Sequence, residues 1–477
     1  MDLDKTRDLT NGSITRNLFR LSLPIMLSNF IQTFYNLTDT FWLGKLGENA
    51  KAAVSAAGIS FPIVFFLSSF GFGFAVAGTA MVARFKGAKN MEMVRKSVGQ
   101  YIIILVIFSA LFLTVSMVFI DDILQLLQVP EHIFDIVTNY LRIILIGMVF
   151  MFVFIFYQSI SHGLGDTYSP MKIQLISVSI NVVLDPLFIF GIGFLPRMEA
   201  VGAAIATLIA RIIAALLAIY FIRKGDHRII PHTSDIKPNW GLIKRILKLS
   251  IPASLGQSMT SFGFVFLMSF VNQFGTVVIS AFSIGNRMTS LFMMPAMGIS
   301  NALSAVVGQN LGAKKIERAE KSFHKAFIMI ILIMFVGCSV VFLFGGELTK
   351  FFIDDPAVIE VGKRMFEISA MAAFIFGSLF VFMGVFNGAG QTNISMILNI
   401  GRLWLLRIPL VYILSGKLLD YSLFADSFLK PFLVQIAKPL AVYPYDALWW
   451  SMLISNTISS LAAYMFYNTG RWKHKEI

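Results

Sequence analysis

The chain has 477 residues, 57% of them hydrophobic and only 14% charged, against a usual soluble share of roughly 25%. Apolar runs of about 20 residues recur along its whole length, each enough to cross a hydrocarbon core of roughly 30 Å as a helix, which excludes a soluble domain. The single Cys338 excludes a disulfide framework or a cysteine metal cluster, and the net charge of +13 is read below as a topology signal rather than as nucleic-acid binding.

The opening MDLDKTRDLTNG is polar, so no cleavable signal peptide is expected. Backbone groups in lipid must be satisfied within the segment, and unalternating apolar runs read as helices. Six spans are expected at 18–43, 52–78, 95–119, 137–160, 171–193 and 201–222, and six more at 244–271, 277–303, 322–345, 363–387, 395–415 and 447–467. Basic residues follow spans two, six, eight and twelve (Arg84, Lys86, Lys89; Arg223, Lys224, Arg228; Lys314, Lys315, Arg318; Arg471, Lys473). The opposite breaks carry Asp121, Asp122, Glu131, Glu347, Asp354 and Asp355. By the positive-inside rule both termini of this multi-pass chain are cytoplasmic, and membrane lipids are its partners.

The sequence also repeats. LSLPIMLSNF at 21 resembles LSIPASLGQS at 249, GAKN at 87 resembles GAKK at 312, and GLGDTYSPM at 163 resembles GAGQTNISM at 388. Six spans per copy give two copies of the same orientation, a parallel repeat. The division is an N-lobe over 1–222, a cytoplasmic linker over 223–243 and a C-lobe over 244–477. The stretch 416–448 has no counterpart in the first copy; amphipathic and broken by prolines, it reads as a helix lying in the outer interface.

Within the spans, chemistry gathers in the first lobe. Gln32, Asn36 and Asp39 are spaced four and three apart on one face of span one, with Tyr35 beside them as further candidate polar lining of a cleft. Asn181 and Asp185 share a face of span five, and Pro186 can free the carbonyl of Val182. A lone ionised carboxylate at mid-depth costs at least ~2.5–3.5 kcal/mol, so two in one lobe point to a site that holds a proton or a monovalent cation. Gln32 and Asn36 alone would be read as helix-packing polars. The repeat is a control: Asp39 falls opposite Leu267, Asp185 opposite Ile408 and Asn181 opposite Trp404, so the second copy drops the acids. Arg402 and Arg407 are expected to snorkel to the interface, and Arg211 and Arg287 to neutralise acids or cap carbonyls. Phe-rich FPIVFFLSSFGFGF and Met-rich NRMTSLFMMPAMG begin equivalent spans as tolerant walls for varied apolar solutes. Gly71, Gly73 and Gly78 fit close helix packing. No arrangement of catalytic or nucleotide-binding residues appears, so an enzyme is not expected and an ion gradient is the expected energy source.

LSLPIMLSNFIQTFYNLTDTFWLGKLG, the repeated GAK, GLGDTYSPM, and NVVLDPLFIFGIG followed by VGAAIATLIAR resemble the multidrug and toxic-compound extrusion (MATE) transporters, and the one-sided acids are similar to its DinF-like branch. The resemblance implies an all-α polytopic protein of the cell's inner membrane, with twelve transmembrane helices in two parallel-repeat six-helix lobes forming a V-shaped cleft. It implies a monomeric antiporter that exports organic cations and amphipathic drugs against Na⁺ or H⁺, with no other cofactor. It also implies that Asp39, Asn181 and Asp185 form the cation or proton site, completed by Thr207 and the carbonyl of Ala203. The alternative is a flippase for a lipid-linked saccharide or another anionic lipid, which would want a cationic cleft.

Overall fold

The computed structural model describes residues 8–47, 50–193, 196–224, 229–417 and 442–475, with 431, 434, 435 and 438. Most of the proposed interfacial stretch 416–448 therefore lies outside the described residues. Helices follow one another almost without interruption: α1 Ile14–Gly44, α2 Ala50–Gly87, α3 Met91–Val118, α4 Ile120–Leu126, α5 Glu131–Gly163, α6 Tyr168–Phe190 and α7 Glu199–Lys224. The second half continues with α8 Trp240–Val271, α9 Thr276–Gly312, α10 Ile316–Leu343, α11 Gly345–Phe352, α12 Pro356–Gly388, α13 Thr392–Ile400, α14 Ile408–Leu414 and α15 Asp446–Asn468. A π-helical turn, Gly401–Arg407, joins α13 to α14 into one span.

The starts of the helices are written in the sequence. Ser13 accepts from the Arg16 amide, Asn90 from Met93 and Asn239 from Leu242, each satisfying a donor that the first turn leaves open. Asp355 accepts from Ala357 and Val358, ahead of Pro356. The acid-rich breaks are more than loops. Asp121 and Asp122 form the first turn of α4, and Glu347 that of α11, where their charge complements the helix dipole. Among the described residues, ten helices are long and apolar enough to cross a membrane; α1 and α15 are the two spans diluted by polar side chains.

Packing obeys the repeat. In the first half α2 lies on α5, α5 on α7, α6 on α7 and α1 on α6; in the second, α9 lies on α12, α12 on α15, the α13–α14 span on α15 and α8 on α13. The halves meet reciprocally, α2 against α8 and α1 against α9, giving two six-helix lobes around a cleft. The close approaches between lobes gather from mid-helix to the ends bearing the basic loops. Ser69 and Ser258 hydroxyls are 2.5 Å apart, Ser254 donates to Phe70 O, and a Cβ on Gly73 would stand 2.3 Å from Ser254 N. At the basic end, Gln309 donates to Gly163 O across the lobes. The segment before α1 straps the lobes there as well. Leu9 is buried, its amide donates to Gln309 Oε1, and Lys315 and Arg318 donate to the carbonyls of Thr10, Asn11 and Gly12.

The linker is docked on α3. Arg95 Nε donates to Asp235 Oδ2 at 2.6 Å, the His232 amide donates to the same oxygen, and Gln100 Nε2 donates to the carbonyls of Asp235 and Lys237. Burial alone would push the Asp235 carboxyl up, but the His232 amide and the Arg95 guanidinium outweigh it and hold it below the usual carboxylate range. A depressed carboxyl stabilises the fold fully above its unfolded value of about 3.9 and loses that contribution as pH falls through the lower folded value. Asp235→Asn is therefore expected to cost about 1–2 kcal/mol at neutral pH, and the gap in unfolding temperature from the wild type should shrink below about pH 4.

One expectation fails. Arg402 and Arg407 do not snorkel: both are 2% exposed, inside the second lobe. The π turn rotates their side chains inward onto α15, where Arg407 Nη2 donates to Asn456 Oδ1 at 2.8 Å and Nε to Ser455 Oγ at 3.2 Å.

Candidate functional site

Three helices of the first lobe carry the buried polar cluster. The i, i+4 spacing on α6 lets Asn181 Nδ2 donate to Asp185 Oδ1 at 3.0 Å, with Asn181 1% and Asp185 0% exposed. From α1, Asp39 enters the same region, near enough for its charge to bear on Asp185. Helix α7 can lie this close because its facing residues are small: Gly202, Ala203, Ala206, Thr207 and Ala210 are all buried. A Cβ on Gly202 would meet the Phe188 backbone of α6 at 2.6 Å. Thr207 Oγ1 lies 2.8 Å from the Tyr35 hydroxyl of α1, and buried Ala203 stands one turn before it.

The satisfied groups matter less than the unsatisfied ones. Asp39 Oδ1, Asn181 Oδ1 and Asp185 Oδ2 are each shielded from solvent and accept no hydrogen bond. A buried acceptor without a donor costs roughly 1–3 kcal/mol, more when charged. Oxygen-only ligands of this kind suit a hard monovalent cation, and the same oxygens can instead take a proton. Arg211 stands nearby without closing the site: its Nη1 donates to Ile144 O at 3.2 Å, and its charge bears on Asp39. Among the described residues it forms no ion pair with either acid, whereas Asp446, the buried acid of the second lobe, is ion-paired with Arg364.

Of the eight residues singled out from the sequence, the structure gathers six: Asp39, Asn181, Asp185, Thr207, Ala203 and Tyr35. Gln32 and Asn36 do not join them. Both are exposed, and Gln32 Oε1 instead accepts from Gln174 of α6 at 2.6 Å. Tyr140 of α5 was missed; it is buried beside Tyr35 and both acids. Nothing in its apolar run marks it, because its place in the site comes from how α5 packs. In the second lobe the counterpart positions are apolar: Leu267 is buried, and Trp404 donates to Met259 O while stacking on Phe262.

This arrangement can be set beside known proteins. A family model described as MatE matches residues 24–187 and 252–413, one stretch in each lobe. The probable multidrug resistance protein YpnP of Bacillus subtilis is 29% identical over 469 residues, covering 98% of both chains. A protein named FAD transporter from Shewanella oneidensis is 27% identical, covering 84% of this chain and 88% of its own. A solved structure titled as the outward-facing conformation of a multidrug resistance MATE family transporter superimposes with a TM-score of 0.85 at 22% identity, covering 99% of this chain and 100% of that one. With the repeat, the twelve spans and the two-lobed packing already in place, these matches decide the family: the chain belongs to the MatE family, the multidrug and toxic-compound extrusion transporters.

Proposed function

We propose that this protein is a secondary active exporter of organic cations and amphipathic drugs, driven by Na⁺ or H⁺ exchange through the Asp39–Asn181–Asp185–Thr207 cluster. The reading is carried by three buried oxygens without donors, from two carboxylates and an amide gathered in the first lobe, where the DinF-like branch is expected to hold its acids. A cation or proton bound there neutralises charge that is costly in oil. It drives transport if it binds one lobe arrangement more tightly than the other. Drug binding in the cleft would favour the opposite arrangement. The protein would act as a monomer in the cytoplasmic membrane, basic loops and both termini inside.

The lobes meet toward the basic ends, which supports a cleft opening outward. Exposed Phe61, Phe65 and Phe72 on α2, and Met297 on α9, offer deformable apolar surface. An anionic-lipid flippase is less well supported, because the buried cluster of the first lobe is built on two carboxylates, Asp39 and Asp185. The test is transport of a fluorescent cation in proteoliposomes with Na⁺ and pH gradients imposed separately. One gradient should drive accumulation against the dye's concentration. Dye movement indifferent to both gradients would refute the antiport reading.

A further inference from the structure

The second lobe holds an arrangement of opposite sign that the proposed transport cycle does not use. Arg402 and Arg407 stand five residues apart, a spacing that on an α-helix points two side chains about 140° from each other. The π turn, with its i→i+5 pattern, brings them to one side. Both guanidiniums then converge on one neutral oxygen, Asn456 Oδ1: Arg402 Nη1 at 3.4 Å and Arg407 Nη2 at 2.8 Å. The Asn456 amide is held in that orientation by its own Nδ2 donating to Ala372 O at 2.8 Å. The ring of Phe376 lies 4.3 Å from the Arg402 guanidinium carbon.

Two positive charges are thus buried together. Among the described residues no acid bears on either arginine, and each is 2% exposed. Arg402 Nε is shielded from solvent and has no acceptor. Depth forbids rescue by headgroups or bulk water: Arg402 lies ten residues past Thr392, roughly 15 Å into a core of about 30 Å. Paired like charges at that depth are costly, and the neutral acceptors of Asn456 and Ser455 offset that cost far less than an anion beside them would.

We propose that Arg402 and Arg407, with Asn456 and Ser455, form a binding site for a single small inorganic anion of the size and charge of chloride. The donorless oxygens of the first lobe and the unpartnered Arg402 Nε of the second fall at related places in the repeat. Arg402 and Arg407 flank Trp404 and adjoin Ile408, the positions opposite Asn181 and Asp185. The two lobes therefore take ions of opposite sign. A small ion fits better than an organic acid, because the aromatic ring and the Asn456 amide close around the guanidiniums.

The site is tested on the purified full-length protein in detergent, at constant sodium and ionic strength, with chloride, bromide, phosphate, benzoate or gluconate as the anion. Chloride and bromide should raise the unfolding temperature saturably by several degrees over gluconate, while phosphate and benzoate should not. Arg402→Gln and Arg407→Gln should each abolish that difference. Should either variant fail to fold, equilibrium binding of radioactive chloride to the wild type is the deciding measurement, with one saturable ion per chain expected. Equal stability in chloride and gluconate together with no saturable binding would overturn the proposal. So would stabilisation by phosphate or benzoate alone, or a chloride response that survives both substitutions.

Discussion

Asp185→Asn is expected to reduce gradient-driven efflux to the rate of empty vesicles while the protein still inserts and folds, and Asp39→Asn to do the same. The substitution keeps the side chain's shape and removes its charge. What it changes is the ability of the cluster to hold a proton or cation in one state and release it in the other. A carboxylate at this depth costs at least ~2.5–3.5 kcal/mol when ionised and unpaired, so neutralising it should leave the unfolding temperature unchanged or raised. Lost transport with retained or increased stability is the signature of a group kept for function at the expense of stability. Tyr35→Phe is the milder control: it removes the hydroxyl 2.8 Å from Thr207 Oγ1 and should slow transport without ending it. Dye efflux and thermal unfolding measured on the same preparations separate these outcomes. Wild-type efflux in either aspartate variant would remove the coupling mechanism.

The spans and both aspartates were legible because each violates a simple expectation of its surroundings. An apolar run of 20 residues has no other stable use, and an acid inside one is an anomaly visible without coordinates. Thr207 and Ala203 were accessible only through the family resemblance, since a threonine in a small-residue stripe is ordinary packing. The failures share a different cause. Gln32 and Asn36 have the same helical spacing as Asp39, but spacing gives a face and not the neighbour that covers it. Those two side chains of α1 lie exposed, while Asp39 and Tyr35 meet α6 and α7. Arg402 and Arg407 were misassigned because an α-helical reading leaves them pointing apart near a span end. Only the i→i+5 turn draws both inward, and nothing local in GRLWLLR announces it. The short helices α4 and α11 escaped for the opposite reason: seven or eight residues carry too little periodicity to separate from an acidic loop.

The closure at the basic end leads to the other large effect. Gly87 of α2 and Gly312 of α9 meet the opposite lobe reciprocally. A Cβ on Gly87 would stand 2.0 Å from Gln309 O, and a Cβ on Gly312 would stand 2.0 Å from Arg84 O. Both obstacles are backbone atoms of long helices, which cannot rotate away as a side chain would. The double substitution Gly87→Ala/Gly312→Ala must therefore wedge the lobes apart in this arrangement alone, and an overpacked contact of this kind costs about 1–3 kcal/mol. Because a tenfold population change corresponds to about 1.4 kcal/mol, the closed state should lose roughly five- to 150-fold in population against its alternative. A reporter is available in Ser22 of α1, fully buried where its carbonyl faces Gly298 of α9. With Cys338 replaced by Ala and Ser22 by Cys, maleimide labelling should accelerate by a similar factor in the double-glycine variant, and efflux should fall as the arrangement closed at the basic end becomes scarce. Lys315 and Arg318, which hold the strap at Thr10 to Gly12, oppose that wedge. Their replacement by Gln should add to the labelling rate. Unchanged labelling in the double-glycine variant would mean that the lobes do not part at this end, and a rocking motion about the α2–α8 and α1–α9 contacts would have to be abandoned.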